Sequence, residues 1–372
     1  MNKKKKVLIV NDPLQYGGSD LVAVRLQQNL DKEKYECVYC LRHDEEIGPL
    51  EEQVAATGVR IMHQPENMLT YRKSYKYYLD LFEKEKFDIV HSHLLFFSAI
   101  VLKAAKKKKI PVRAAHSHFT KPLFPEKGLK KIIRGTYRSV MRIWLNKYAT
   151  DIIGCSQEAG EYLAGKKGFS KKGIVLNNGI DAKKYEFDIL KRNEIRKSLG
   201  VENKTVIGHI GQMYYVKNHG FLIDVFYEYQ KIHNESVLLL VSDGPDRNKL
   251  EEKVKELKIE EKVIFLGFRD DIPNLLLAMD CFVFPSIHEG FPLTLVEAQA
   301  AKLPCLVSES ITKKVKYNNN FEFLSINQST KLWCNKIDEL LKYDRSSVDN
   351  SLIIEQFDIK NIAKKLEQIY SS

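Results

Sequence analysis

Glu289 and Glu297 stand in an E-x7-E spacing within EGFPLTLVE. Pro292 lies between them and argues against one continuous helix through both, so one glutamate belongs to a loop and the other to a helix. Thr294 and Glu297 form a T-x-x-E capping box, which predicts a helix starting there. Such a start offers unpaired backbone N–H groups and the positive end of the helix dipole, a site for an anion such as phosphate. Glu297 reads either as the capping-box glutamate or as an acceptor for ribose hydroxyls. Glu289 precedes Gly290 on the loop, where a carboxylate has little structural purpose. It can accept hydrogen bonds from a sugar or balance positive charge developing at an anomeric carbon.

An anionic leaving group also needs a cation. A divalent metal held by D-x-D is one source, but the sequence contains no D-x-D. Lys217 is the alternative, on a loop after a predicted strand, and Gly17-Gly18 after the first strand would let backbone approach a phosphate. Two H-S-H triplets, His91–His93 and His116–His118, fall where strands end. An H-x-H can be a metal pair, but neither loop carries a nearby Asp or Glu, so no metal is expected and His93 reads as a substrate contact.

The elements that position these residues alternate strand and helix. Apolar runs predict strands at Val7–Val10, Tyr35–Leu41, Val59–Met62, Asp88–His91, Pro111–Ala115, Asp151–Cys155 and Gly173–Leu176. The NNGID turn at Asn177–Asp181 closes this first series, and the polar stretch Ala182–Lys204 reads as a linker. The rhythm restarts with strands at Thr205–Ile210, Val237–Val241, Val263–Leu266, Cys281–Phe284 and Pro304–Val307. After Glu309 the pattern weakens until an amphipathic helix at Asp358–Tyr370. Repeated βα units predict an α/β protein with parallel, doubly wound sheets and ligands at the strands' carboxyl ends. The expected domains are 1–185, with helix 356–372 packing back on it, and 186–355.

A formal net charge of +11 calls for an anionic partner. No zinc-finger, RRM or helix-turn-helix signature points to nucleic acid. Gly128–Ala149 is basic and amphipathic, and reads either as a packed surface helix or as one touching an anionic membrane or a diphosphate-linked lipid; Lys106–Lys109 adds charge. Six cysteines include one C-x-x-C, Cys37 and Cys40, in a strand-like context, the pattern of buried thiols in a reducing compartment. The absence of G-x-G-x-x-G argues against a dinucleotide oxidoreductase.

Together these motifs resemble the retaining glycosyltransferases of group 1 (family 4), of GT-B fold. The resemblance rests on GGSD at Gly17–Asp20, HSH at His91–His93, NNGID, the loop ending at Lys217, SDGP from Ser242, and above all EGFPLTLVE followed by EAQAAKLP. KNHGFLIDVF and LLLAMDCFVFPS are most similar to bacterial capsular and exopolysaccharide enzymes. The resemblance implies two Rossmann-like domains facing a central cleft and an NDP-sugar donor, UDP-sugar favoured, held mainly by the second domain. Lys217 would contact the diphosphate, and Gln212 and Gly244 would belong to the donor-nucleotide site. Gly290, Phe291, Pro292, Leu293 and Thr294 would bind donor sugar and phosphates through the backbone, Glu297 the ribose, Glu289 the sugar, and Phe268 and Arg269 would lie near the base. His93 would contact the donor sugar, with His116 and His118 on the acceptor side. Acceptors in this class are saccharides, often polyprenyl-diphosphate-linked, which implies a cytoplasmic enzyme peripheral to the plasma membrane with no cofactor or metal.

Three positions depart from the family pattern. Gln212 stands where Arg is usual, Ser242 and Lys302 where Gly is usual. Loss of a leaving-group cation costs about 3 kcal/mol, or a hundredfold in rate. A catalytically weak nucleotide-binding subunit is therefore the competing reading.

Overall fold

The computed structural model describes residues 3–15, 18–43, 47–66, 70–122 and 127–371. The chain forms two compact units, Met1–Gly179 with Ile359–Ser372, and Ile180–Asp358. The first unit holds β1 (Lys5–Asn11), α1 (Gly18–Asn29), β2 (Tyr35–Arg42), α2 (Glu51–Ala55), β3 (Arg60–Gln64), α3 (Tyr71–Lys84), β4 (Ile89–Ser92), α4 (Ser98–Lys107), β5 (Val112–Ser117), α5 (Gly128–Tyr148), β6 (Asp151–Gly154), α6 (Gln157–Ala164), α7 (Lys166–Lys172) and β7 (Gly173–Val175). The second holds α8 (Ile189–Ser198), β8 (Thr205–Ile210), α9 (His219–Ile232), β9 (Ser236–Val241), α10 (Arg247–Glu256), β10 (Val263–Gly267), α11 (Ile272–Ala278), β11 (Cys281–Phe284), α12 (Leu293–Ala300), β12 (Cys305–Ser308), β13 (Phe321–Leu324), α13 (Thr330–Leu340) and α14 (Ser351–Phe357). The last helix, α15 (Ile359–Ser371), belongs to the first unit.

Each unit is an α/β layer structure built on one parallel sheet. The strand orders are β3-β2-β1-β4-β5-β6-β7 and β10-β9-β8-β11-β12-β13. In both, the order reverses beside the first strand of the unit, between β1 and β4 and between β8 and β11. Loops leaving two adjacent strands diverge at such a switch point and open a crevice at their carboxyl ends. The central strands read as uninterrupted apolar runs because helices cover both faces: Val7–Val10, Val237–Val241 and Cys281–Phe284 are all buried.

Four segments differ from the sequence reading. The stretch read as a linker contains α8, and Ile180 and Tyr185 sit in the second unit's core. The chain therefore passes between units at Gly179, where Ile180 N–H bonds to the Phe357 carbonyl at 2.8 Å. The segment after Glu309 is ordered as β13, α13 and α14, anchored by the fully buried Trp333. The capping box does not form: Pro292 is the N-cap of α12, with no side-chain cap bond, and Thr294 lies inside the helix. Helix α5 is packed only at its carboxyl half, through Met141 and Leu145.

Cys37 and Cys40 are both free, and their odd spacing in β2 points them to opposite faces. Burial pushes their thiols up to about 12 and about 11, so neither is a ready thiolate.

Candidate functional site

Two of the sequence's candidates meet at the second unit's switch point. Lys217 follows β8 and Glu289 follows β11; Lys217 Nζ lies 2.7 Å from Glu289 Oε1, with both side chains mostly buried. Backbone fixes the two loops against each other: Ile287 N–H bonds to the Val216 carbonyl at 2.8 Å and Asn218 Nδ2 to the Pro285 carbonyl at 3.2 Å. Asn218 supports this turn in the left-handed region, with φ 59°. Lys217 Nζ also stands 5.1 Å over the Phe284 ring, an attraction to the aromatic face.

Around this lysine the chain leaves an unusual number of polar atoms without partners. Glu289 Oε1, Ser286 Oγ, His209 Nε2 and His219 Nε2 are buried and make no hydrogen bond among the described residues. The Glu289 contact is therefore an ion pair rather than a directed hydrogen bond. His209 Nδ1 faces the Val283 carbonyl at 2.8 Å and donates to it, which leaves Nε2 a bare acceptor. A Cβ at Gly211 would sit 3.2 Å from both His209 Nε2 and Lys217 Cε. Buried unpartnered polar atoms are rare in proteins and mark places that a ligand or solvent completes.

The remaining second-unit candidates border the same strand ends. Leu293 and Thr294 open α12, whose first amides have no intrahelical acceptors. Pro292 is buried, Gly290 exposed, and Phe291 stacks on Phe357 at 5.8 Å. Glu297 is buried inside α12 at 6% exposure. Gly244 has a packing reason: an added Cβ would lie 2.7 Å from the Met213 backbone nitrogen and oxygen. Phe268 is exposed at the end of β10, and Arg269 holds Asp271 through contacts of 2.7 and 2.8 Å. Gln212 is exposed on the loop after β8. Ser242 and Lys302 adopt φ 102° and 57°, the left-handed region that glycine enters without strain.

In the first unit, Gly17 lies outside the described residues and Gly18 begins α1. His93 lines a cavity of about 550 Å³ with Asn11, Asp12, Gln15, Asp20 and others at the β1/β4 switch point. The two H-S-H triplets stack into one ladder. His91 pairs with His116 at 3.2 Å and His93 with His118 at 3.0 Å, and each pair of rings is tilted by only 6°. His91 Nδ1 faces Tyr370 Oη at 2.6 Å, and His118 Nδ1 faces Asn178 Oδ1 at 3.3 Å. His116 is 1% exposed.

The Glycosyl transferases group 1 family matches residues 191–349, and Glycosyltransferase Family 4 matches residues 16–184. This chain is a group 1 (family 4) glycosyltransferase. It is 29% identical to the putative glycosyltransferase EpsF of Bacillus subtilis (strain 168), over 90% of this chain and 88% of that one. It is also 29% identical to a UDP-Gal:alpha-D-GlcNAc-diphosphoundecaprenol alpha-1,3-galactosyltransferase of Escherichia coli, over 74% and 73%. Anabaena HepE in complex with UDP shares the fold at TM-score 0.77 and 19% identity, covering 98% and 99% of the two chains. The architecture is GT-B.

Sequence reasoning did not reach four residues of this glycosyltransferase's candidate sites: His209, His219, Ser286 and Asp20. His219 follows Lys217 in K-N-H and Asp20 ends GGSD, so motif adjacency was an available signal for both. His209 and Ser286 read as ordinary strand and loop residues. Asp20 Oδ1 accepts from Asn11 Nδ2 at 3.0 Å, and burial raises its carboxyl above the usual range.

The buried histidines make stability pH-dependent. Burial lowers His91 to about 3 and His118 and His219 to about 4, and pushes His93, His116 and His209 well down. Below pH ~6.5 the unfolded chain takes up protons that the folded chain refuses, so stability is full above that pH and declines as pH falls. Thermal midpoints measured from pH 7.5 to 5 are expected to fall steeply below about 6.5; a flat profile contradicts this reading.

Proposed function

We propose that this glycosyltransferase moves a sugar from a UDP-sugar to a polyprenyl-diphosphate-linked saccharide, with retention of configuration, in exopolysaccharide or capsule synthesis. The observation that carries it is the lysine among unpartnered buried polar atoms at the second unit's switch point. A nucleoside diphosphate supplies the anion for Lys217 and the start of α12, and hydroxyls for Glu289 and Glu297. Support for the donor comes from the UDP named for HepE and the UDP-Gal named for the Escherichia coli relative. Support for the pathway comes from EpsF and from the capsular glycosyltransferase CapH of Staphylococcus aureus, 24% identical over 99% of both chains.

In this reading the bond from the anomeric carbon to the diphosphate breaks as the acceptor oxygen bonds to the same face of that carbon. A departing phosphate oxygen takes the acceptor's proton. Lys217 and the α12 amides hold the charge left on the diphosphate, the task a metal performs elsewhere. A thermal-shift panel of UDP, GDP and their sugars, followed by product analysis with the stabilising donor, tests the proposal. UDP at 100 times its Kd should add about 2.7 kcal/mol of stability. No shift with any uridine ligand rules out the donor, and binding without turnover favours the subunit reading.

The same proposal places the protein at an anionic membrane surface. Among the described residues, no helix is long and apolar enough to cross a membrane. Instead α5 presents Leu129, Ile132, Ile133 and Ile143 at 59–70% exposure beside Lys130 and Lys131. Apolar side chains with flanking cations suit insertion at a headgroup boundary. Flotation with vesicles containing phosphatidylglycerol is expected to capture the protein at low salt and release it at high salt. An Ile132→Asp/Ile133→Asp variant should stay behind; equal flotation of wild type and variant, or none of either, removes this surface.

A further inference from the structure

We propose that the histidine ladder of the first unit binds one divalent transition-metal ion of the Zn²⁺ class through His91, His93 and His116. The inference does not depend on the donor reading.

The topology assembles the ligands. Parallel pairing of β4 with β5 sets His91 opposite Ala114 and Ser92 opposite Ala115, which brings the two triplets to the same sheet end with a stagger of two residues. Alternate residues of a strand share a face, so both histidines of each triplet project the same way. One nitrogen from each of His91, His93 and His116 lies within 4.8 Å of the other two. Two ligand nitrogens on a tetrahedral Zn²⁺ stand about 3.4 Å apart, from Zn–N lengths of about 2.0–2.1 Å. The ligand nitrogens, within 4.8 Å of one another, must close by at most about 1.4 Å to reach that spacing, and the ion displaces the 3.2 Å hydrogen bond between His91 Nε2 and His116 Nδ1.

Hydrogen bonding leaves the cluster incomplete without an ion. In one tautomer His91 Nδ1–H donates to Tyr370 Oη and His91 Nε2 accepts from His116 Nδ1–H. In the other, Tyr370 donates to His91 and His91 Nε2–H to His116. His116 Nε2 has no partner in either case, and it is buried. A buried nitrogen left without a partner is destabilising until a ligand completes it. The first tautomer also gives His91 the second-shell contact that metal-bound imidazoles use to fix their orientation. Neutral imidazole is the form that ligates. Imidazole sets of this kind suit Zn²⁺ and its neighbours rather than Mg²⁺ or Ca²⁺.

The test uses full-length protein with no histidine tag, dialysed against chelator and titrated with Co²⁺. The expected result is the visible absorption of tetrahedral cobalt, saturating at a single ion per chain and abolished by Zn²⁺. His116→Gln should lose the band, whereas His233→Gln, an exposed-face histidine paired with Asp338, should keep it. If His116→Gln does not fold, His93→Gln at the half-buried cavity edge replaces it. The proposal is overturned if wild-type protein shows no cobalt band, or if the band survives in the cluster variants.

Discussion

Lys217→Ala is expected to lower sugar transfer by about a hundredfold or more, with the loss mainly in kcat. Within the proposed function the diphosphate gains charge only as the sugar leaves, so the lysine's attraction is strongest in the transition state. The neighbouring position that usually carries Arg is Gln212, which brings no charge to compensate. His209 and His219 cannot substitute at neutral pH, because burial keeps both unprotonated.

The variant must be separated from simple unfolding. Removing Lys217 leaves Glu289, whose side chain is 17% exposed, without its ion-pair partner. A partly buried carboxylate without its counter-ion destabilises the second unit. The double variant Lys217→Ala/Glu289→Ala removes that carboxylate and should recover the thermal midpoint, but not transfer. Transfer by Lys217→Ala within a few-fold of wild type would show that the charge on the leaving group is met elsewhere.

What was readable in the sequence followed from burial on both faces. A central parallel strand must be apolar throughout, so VIGHI, VLLLV and CFVF announce themselves, and their ends locate the loops that carry Lys217 and Glu289. The pairing of those two residues was not readable, because it depends on β8 and β11 being sheet neighbours although two strands separate them in sequence. The histidine ladder was half readable: each triplet was visible, but their union depends on the β4–β5 register. Thr294 and Glu297 misled because a capping box is a local pattern, whereas Pro292 already takes the N-cap position and leaves Thr294 inside the helix.

The helix hidden in the polar stretch Ala182–Lys204 failed for a different reason, and it supplies the second large prediction. Reading Ile189–Ser198 (ILKRNEIRKS) by polarity assigns Arg192 and Arg196 to solvent. In the structure Arg196 is 7% exposed, and both guanidiniums converge on Asp280. Asp280 Oδ2 accepts from Arg196 Nη1 at 3.1 Å and from the Val206 N–H at 2.7 Å, while Oδ1 pairs with Arg192. Arg192 and Arg196 continue onto the carbonyls that end α11, Met279 at 2.8 Å and Ala278 at 2.7 Å. Arg345 reaches the Met279 carbonyl as well, and burial pushes its guanidinium down to about 9. One carboxylate thus serves a cluster of three arginines. Asp280→Ala leaves that charge uncompensated and removes the acceptor of the Val206 amide in β8. The expected loss is about 3–5 kcal/mol from the second unit. Two units can unfold separately, so a single global transition is not the right readout. The two tryptophans offer a better one, since Trp144 lies in the first unit and Trp333 in the second. In a Trp144→Phe background, urea unfolding followed by Trp333 fluorescence reports on the second unit alone. Asp280→Asn, which keeps an acceptor for Val206 but not the charge, should fall between wild type and Asp280→Ala. A loss below about 1 kcal/mol would place the pair among exposed ion pairs that contribute little, and would leave the apolar contacts of α8 as what holds it in place.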